Sequence, residues 1–150
     1  MIDAAKIEGM LRNLDKYVGY LRQLAAIPKD DLLADFTKTG SVRYYLHVAI
    51  ECCLDAANHI IAARSLRPPS DYADAFTVLG EAGVVPTAFV PTLQQMARLR
   101  NRLVHLYWEV DDEILYQILT SELDDFDRFK ACVLAWKVVA SPYGVVRSGN

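Results

Sequence analysis

Apolar residues recur in this chain at steps of three and four, and that spacing constrains the fold more than any other feature. Over residues 3–26 the series Ile7, Met10, Leu11, Leu14, Val18, Leu21 and Ala25 marks one stripe of an amphipathic helix. Pro28 stops it, residues 30–36 form at most a short helix, and Thr37-Lys38-Thr39-Gly40 reads as a loop. Ser41 is a candidate N-cap for a second long helix over 42–64. That helix is apolar round more than half its circumference, so it is the expected central element. Arg67-Pro68-Pro69 breaks the chain, Ser70 can cap a third helix over 71–82, and Gly83 stands just past its end. A fourth helix is predicted over 87–105, with Pro91 in its first turn, where a missing N–H costs least. A fifth, capped by Asp111 or Asp112, runs to about residue 140, and residues 141–150 read as a loose tail. There is no βαβ alternation, internal repeat, Gly-rich phosphate loop or G-x-S-x-G elbow. The expectation is an all-α chain, a single domain over 1–150 built as a bundle of four main helices and a minor one.

Composition supports a real core: 53 % of the 150 residues are hydrophobic, too many for a disordered chain. Cys52, Cys53 and Cys132 are odd in number, two are adjacent, and no C-x-x-C is present. They read as reduced cysteines packed as small hydrophobes, which fits a cytoplasmic protein. Residues 1–15 mix both charge signs with no apolar run, so no signal peptide is expected. No uncharged apolar window reaches membrane length, so no membrane association is expected.

Taken as an average, the formal net charge of −3 argues against a nucleic-acid partner, but that average conceals two opposed regions. Glu109, Asp111, Asp112, Glu113, Glu122, Asp124, Asp125 and Asp127 fall in one stretch with no Lys or Arg. Removing those 8 of 19 acids leaves 11 against 16 basic residues, so the remainder carries +5. Just before the acidic stretch stand Arg98, Arg100 and Arg102, with no acid between Glu81 and Glu109. The acidic run reads as a solvated face with favourable acids at a helix start, or as a surface for a basic partner.

The run from Arg98 to Trp108 concentrates the chemistry. On a helix, Arg98 and His105 lie about 20° from eclipse, and Asn101 and Arg102 neighbour His105. Arg100 and His105 diverge by about 140°. Histidine can take or give a proton near neutral pH, and arginine binds phosphate and steadies charge developing on a phosphoryl group. Such a set is the minimum needed to cleave RNA through its own 2′-OH, with no metal. The plainer alternative is a helix end whose His and Arg side chains satisfy terminal carbonyls.

Arg100-Asn101-Arg102-Leu103-Val104-His105-Leu106-Tyr107 also matches R-x4-H-x-Y, and here the chain resembles the HepT-like ribonuclease toxins of the HEPN class. The flanks agree: Arg43 to Glu51 with Asp55 to Ile61, then Pro69 to Tyr72 with Phe76 to Gly83, then Trp108 to Asp111 and Leu123 to Phe126. The likeness spans roughly residues 5–138. It implies a two-fold helical dimer acting as a metal-independent endoribonuclease toxin, without cofactor. It also implies a minimal nucleotidyltransferase antitoxin that transfers AMP to a motif tyrosine. Carried over by position, Arg100 and His105 are the catalytic pair, Asn101 and Tyr107 are supporting groups, and Tyr107 is the modification target. Each AMP would add a phosphodiester charge beside the arginines. The 140° divergence is met either by loosening of the helix near His105 or by a two-fold dimer that joins two motif segments; the dimer is favoured, since it doubles positive charge where RNA binds. Arg98 and Arg102 are then phosphate-binding accessories, with Arg98 open to a share in catalysis.

Other clusters read more plainly. His47, Glu51, Asp55 and His59 stand at steps of four but drift round the helix, and no Glu-x-x-His partner exists elsewhere. They are assigned to hydrogen bonds with neighbouring helices rather than to metal, Glu51 and Asp55 being the ones placed to meet an arginine. Tyr17, Tyr20, Tyr44, Tyr45 and Trp136 are assigned to core or dimer surface. The competing functional reading is a catalytically inactive helical dimer that binds nucleotides or a nucleotidyltransferase.

Overall fold

The computed structural model describes residues 3–140, with side chains described over 3–137, and among these every regular element is helical. Seven α-helices follow in order: α1 Ala4–Ala25, α2 Lys29–Leu33, α3 Phe36–Ala63, α4 Tyr72–Glu81, α5 Val90–His105, α6 Asp112–Ser121 and α7 Asp124–Ala140. Short 3-10 turns at Thr87–Phe89 and Tyr107–Glu109 precede and follow α5. The expected tail over 141–150 lies outside the described residues.

α3 is the central helix. It packs along α1, touches α4 and α5 on another side, and meets α6 and α7. Leu46, Ala49, Ile50, Cys53, Leu54, Ala56, Ala57 and Ile60 are buried, within an arc of about 160° of the helix, while Tyr44, Asp55 and Asn58 are exposed. Its length and apolar composition would suffice to cross a membrane, but half of its apolar window is buried inside the bundle. The α1 stripe is buried as expected at Ile7, Leu11, Leu14, Val18 and Leu21. Tyr17 and Tyr20 join Tyr45 in an aromatic cluster between α1 and α3. Cys52 and Cys53 are buried, and desolvation raises the Cys52 thiol to about 11.

Three boundaries correct the sequence reading. α3 begins six residues earlier than expected, and the supposed loop 37–40 is helix. Asp35 is the cap, accepting from the Thr37 N–H at 2.9 Å, while the Ser41 hydroxyl is spent on the Thr37 carbonyl at 2.8 Å. Burial of Thr39 and Val42 outweighs the weak helix propensity of a Thr-Lys-Thr-Gly segment. At α4 the cap is Asp71, not Ser70; Ser70 turns its N–H and hydroxyl to Asp74. The predicted fifth helix is two, broken at Glu122-Leu123. On one straight helix Phe126, Phe129 and Val133 would fall within about 40° of Leu115, so the apolar periodicity runs through the break and gives no sign of it. Arg22 of α1 anchors the new start through Asp124 at 2.9 Å and Asp127 at 2.6 Å.

That anchoring recurs along the acidic stretch. Lys29 pairs with Glu113 at 2.9 Å, Arg43 with Asp112 at 3.2 Å, and Arg102 with Glu109 at 3.8 Å, while Asp111 caps α6. The acids are answered largely from within the chain by its basic remainder.

α4 and α5 pair closely, and this pairing sets the site. Gly80 sits against Val90, where a Cβ would come within 2.5 Å of a methyl carbon. α4 ends in a Schellman turn, with Gly83 at φ +76° and Val84 N–H donating to the Leu79 carbonyl at 2.9 Å. Ahead of α4, Arg67 grips Asp74 through two nitrogens at 2.8 and 2.9 Å and reaches Glu81 at 2.9 Å. The Pro68-Pro69 connection is thereby fixed beside the start of α4, opposite the C-terminal end of α5.

Candidate active site

Arg100 faces the bundle rather than solvent, with its side chain only 13 % exposed. Its Nε donates to Glu51 Oε1 of α3, and its Nη1 donates to Asn101 Oδ1 at 3.2 Å. The guanidinium carbon lies 4.7 Å from the centre of the Tyr72 ring, a cation–π contact. Glu51 also has His47 Nε2 at 3.4 Å. A half-buried carboxylate therefore holds the arginine on one side and an aromatic ring holds it on another. Nη2 of Arg100 donates to no described residue and remains available.

His105 is the last residue of α5 and is exposed. It lines an open depression of about 520 Å³ with Asn101 one turn back, Asn58 of α3, Pro69, Asp71, Tyr72 and Leu106. Arg100 is not on that surface, but both of its neighbours Asn101 and Tyr72 are. Within the single chain, Arg100 and His105 share only neighbours: Asn101 and Tyr72 contact Arg100 and line the depression that His105 rims. α5 stays helical through His105, and the chain leaves the helix only at Leu106 (φ −133°, ψ 44°).

Tyr107 follows on the 3-10 turn, 62 % exposed, edge-on to Trp108 with ring centres 5.3 Å apart. Arg43 of α3 fixes this turn. Its guanidinium donates to the Tyr107 carbonyl at 3.2 Å, to the Val110 carbonyl, and to Asp112 Oδ1 at 3.2 Å. Arg98 and Arg102 lie elsewhere. They line a separate cavity of about 280 Å³ floored by Leu46, Ile50 and Met96, and Arg102 also donates to the Glu109 carbonyl at 3.1 Å. Arg98 shares a face with His105, as the helical angle predicts, but seven residues along an α-helix separate them by about 10 Å.

The polar line on α3 meets the plainer reading at two of its four positions; His47 pairs only with Glu51 on the same helix, and Asp55 meets no arginine among the described residues. Glu51 bonds Arg100, and His59 Nε2 accepts the Asp3 N–H at 3.2 Å at the start of α1. Burial and the Glu51 carboxylate push Asp55 above the usual carboxylate range. Among the described residues, no three His, Cys, Asp or Glu side chains gather as metal ligands. Tyr72, Asn58, Asp71 and Arg43 are site residues that the sequence reading does not single out. Only the Pro-Ser-Asp-Tyr segment before a helix hints at the first three, and nothing local marks Arg43.

The ribonuclease HepT-like family pattern matches residues 10–133. The mRNA nuclease HepT of Shewanella oneidensis is 35 % identical over 95 residues, covering 63 % of this chain and 71 % of that protein. The tRNA nuclease HepT of Aphanizomenon flos-aquae is 24 % identical over 127 residues, covering 83 % and 85 %. Among solved structures, a tri-AMPylated Shewanella oneidensis HEPN toxin in complex with its MNT antitoxin superposes with a TM-score of 0.79 at 28 % identity. The match covers 86 % of this chain and 96 % of that one. A toxin–antitoxin crystal structure with AMP-PNP gives a TM-score of 0.80 at 27 % identity, covering 86 % and 97 %. With the pattern matched over most of its length and the bundle reproduced, the chain belongs to the HepT-like ribonuclease family of HEPN toxins.

Proposed function

We propose that this chain is a toxin that cleaves RNA without a metal, restrained by a nucleotidyltransferase antitoxin. The observation that carries the proposal is the Arg100 frame: a guanidinium held by Glu51, Asn101 and Tyr72, the last two of which also line the depression that His105 rims. In the reaction the RNA 2′-oxygen attacks the adjacent phosphorus and the 5′-oxygen leaves, giving a cyclic phosphate and a free 5′-hydroxyl. His105 moves the proton, and Arg100 steadies the charge on the phosphorane. Asn101 keeps the guanidinium oriented. Arg98 and Arg102 take flanking phosphates further along α5.

A two-fold homodimer would bring a second copy of this arrangement to the same RNA. The exposed apolar run Val104, Leu106, Tyr107 and Trp108 beside His105 supports such a contact. Tyr107 is proposed as the residue to which the partner transfers AMP; its exposure and its fixed turn suit it to that role.

The test is expression of the chain without a partner. Growth arrest is expected, and His105→Ala or Arg100→Ala should each abolish it while the protein remains folded. If both variants stay as toxic as the parent, the mechanism is wrong. Purified protein should cut RNA in the presence of a chelator. Incubation with the partner and ATP should raise the intact mass in AMP steps that Tyr107→Phe prevents. Complex formation with no cleavage at any concentration would favour the inactive binding dimer.

A further inference from the structure

The depression beside His105 holds more polar groups than phosphate chemistry needs, and they come from separate parts of the chain. Asn58 projects from α3, Asp71 and Tyr72 stand at the start of α4, and Asn101 and His105 are on α5. Their hydrogen-bonding capacity is only partly used. Asp71 caps α4 with Oδ1, which accepts the Asp74 N–H at 2.7 Å, and its other oxygen has no partner among the described residues. The Asn58 amide has none either. The Asn101 oxygen is occupied by Arg100, so its amide N–H groups are left to donate outward. Tyr72 lies under the Arg100 guanidinium on one ring face and is still 41 % exposed. At about 520 Å³ the depression falls within the ordinary size range of small-ligand sites.

We propose that this depression is a nucleobase pocket for single-stranded RNA, with Tyr72 as stacking platform and Asn58, Asp71 and Asn101 reading the base edge. The inference rests on the reading of the chain as a ribonuclease. A phosphate held at His105 places its attached nucleoside in the depression that Tyr72 also lines, where an unstacked base gains an aromatic surface. Asp71 then selects. An ionised carboxylate only accepts, so it favours a base that presents an exocyclic amine: adenine, cytosine or guanine. Uracil has a carbonyl oxygen where cytosine has its amine and offers only the N3–H between two carbonyl oxygens, so a carboxylate beside it also faces an acceptor and matches it less well. Asn58 and Asn101 donate to the acceptor atoms beside the amine.

The experiment measures equilibrium binding of the native chain to 2′-O-methyl RNA hexamers of A, C or U. These lack the attacking hydroxyl, so binding is read apart from cleavage. The A and C hexamers are expected to bind roughly tenfold more tightly than U, the discrimination of one good base-edge contact. Asp71→Asn keeps the helix cap, since Asn caps as well as Asp, and should shrink that ratio toward one. Tyr72→Leu should weaken all three by about tenfold or more through lost stacking, and Tyr72→Phe should restore the affinity. Equal binding of A, C and U, an Asp71→Asn ratio equal to the parent's, or no binding of any hexamer overturns the pocket. A chain that cuts RNA but shows no base preference defeats only this inference. One that shows the Asp71-dependent preference but never cuts RNA defeats the nuclease reading and leaves the pocket standing.

Discussion

Removing the Glu51 carboxylate tests the frame on which the site depends. The Arg100 side chain is 13 % exposed and that of Glu51 29 %, so the pair lies between the surface and buried limits. An exposed ion pair contributes at most about 1 kcal/mol. Stripping one partner from a fully buried pair costs about 3–5 kcal/mol, because a charge is left without compensation. Discounted for the solvent that still reaches Glu51, Glu51→Ala should cost about 2 kcal/mol, between those limits. For a chain of this size that corresponds to a melting temperature lower by about 4–8 °C. Glu51→Gln keeps the shape and one acceptor oxygen, so its cost should be smaller. In a double-mutant cycle with Arg100→Ala, the two single costs should exceed the double by about 1 kcal/mol or more, since the second substitution removes the stranded cation. Thermal and urea unfolding of the four proteins supply the cycle. If Glu51→Ala melts within about 1 °C of the parent, or the two costs simply add, Glu51 is not what holds Arg100 and the frame is wrong.

Three further outcomes are expected. Arg43→Ala removes three bonds to the segment from Tyr107 to Asp112; amide exchange over residues 107–112 should quicken by about tenfold or more while the rest of the chain keeps its protection. Unchanged exchange there would show that the turn holds itself. Gly83→Ala forces a side chain into φ +76° and should lower stability by about 1–2 kcal/mol in urea unfolding, whereas an unchanged midpoint would mean the Schellman turn relaxes at no cost. The third outcome concerns acid. The hydroxyl and N–H of Thr37, with Lys38, hold Asp35 down to about 2, and Arg67 with Ser70 holds Asp74 well below the usual carboxylate range. Their stabilisation is complete above the ordinary carboxylate pKa and is lost as pH falls through the depressed values. The melting temperature should therefore drop from about pH 4 to about pH 2, and a flat profile would contradict these bonds.

Several features of the site are legible in the sequence. The R-x4-H-x-Y run marks Arg100, His105 and Tyr107, and the step-of-four line on the central helix marks Glu51 as a carboxylate placed for an arginine. Tyr72 and Asn58 are not legible there, because one aromatic or amide among many carries no local sign of what it faces. Arg98 shows what helical angle alone omits. Its angle on the helix matches His105, but angular agreement disregards two turns of rise, and the side chain opens into a different cavity.

The helices themselves, the central place of α3 and the Gly83 terminus follow from the sequence alone, because periodicity and caps act within a few residues. The early start of α3 and the break before α7 do not. Both are decided by tertiary contacts: burial of Thr39 and Val42, and the grip of Arg22 on Asp124 and Asp127, about a hundred residues away. The same holds for the site. The motif names the arginine and the histidine, but Arg100 finds its carboxylate 49 residues earlier in the chain and its aromatic ring on α4. Only a folded bundle brings Glu51 and Tyr72 to Arg100, since both lie on other helices.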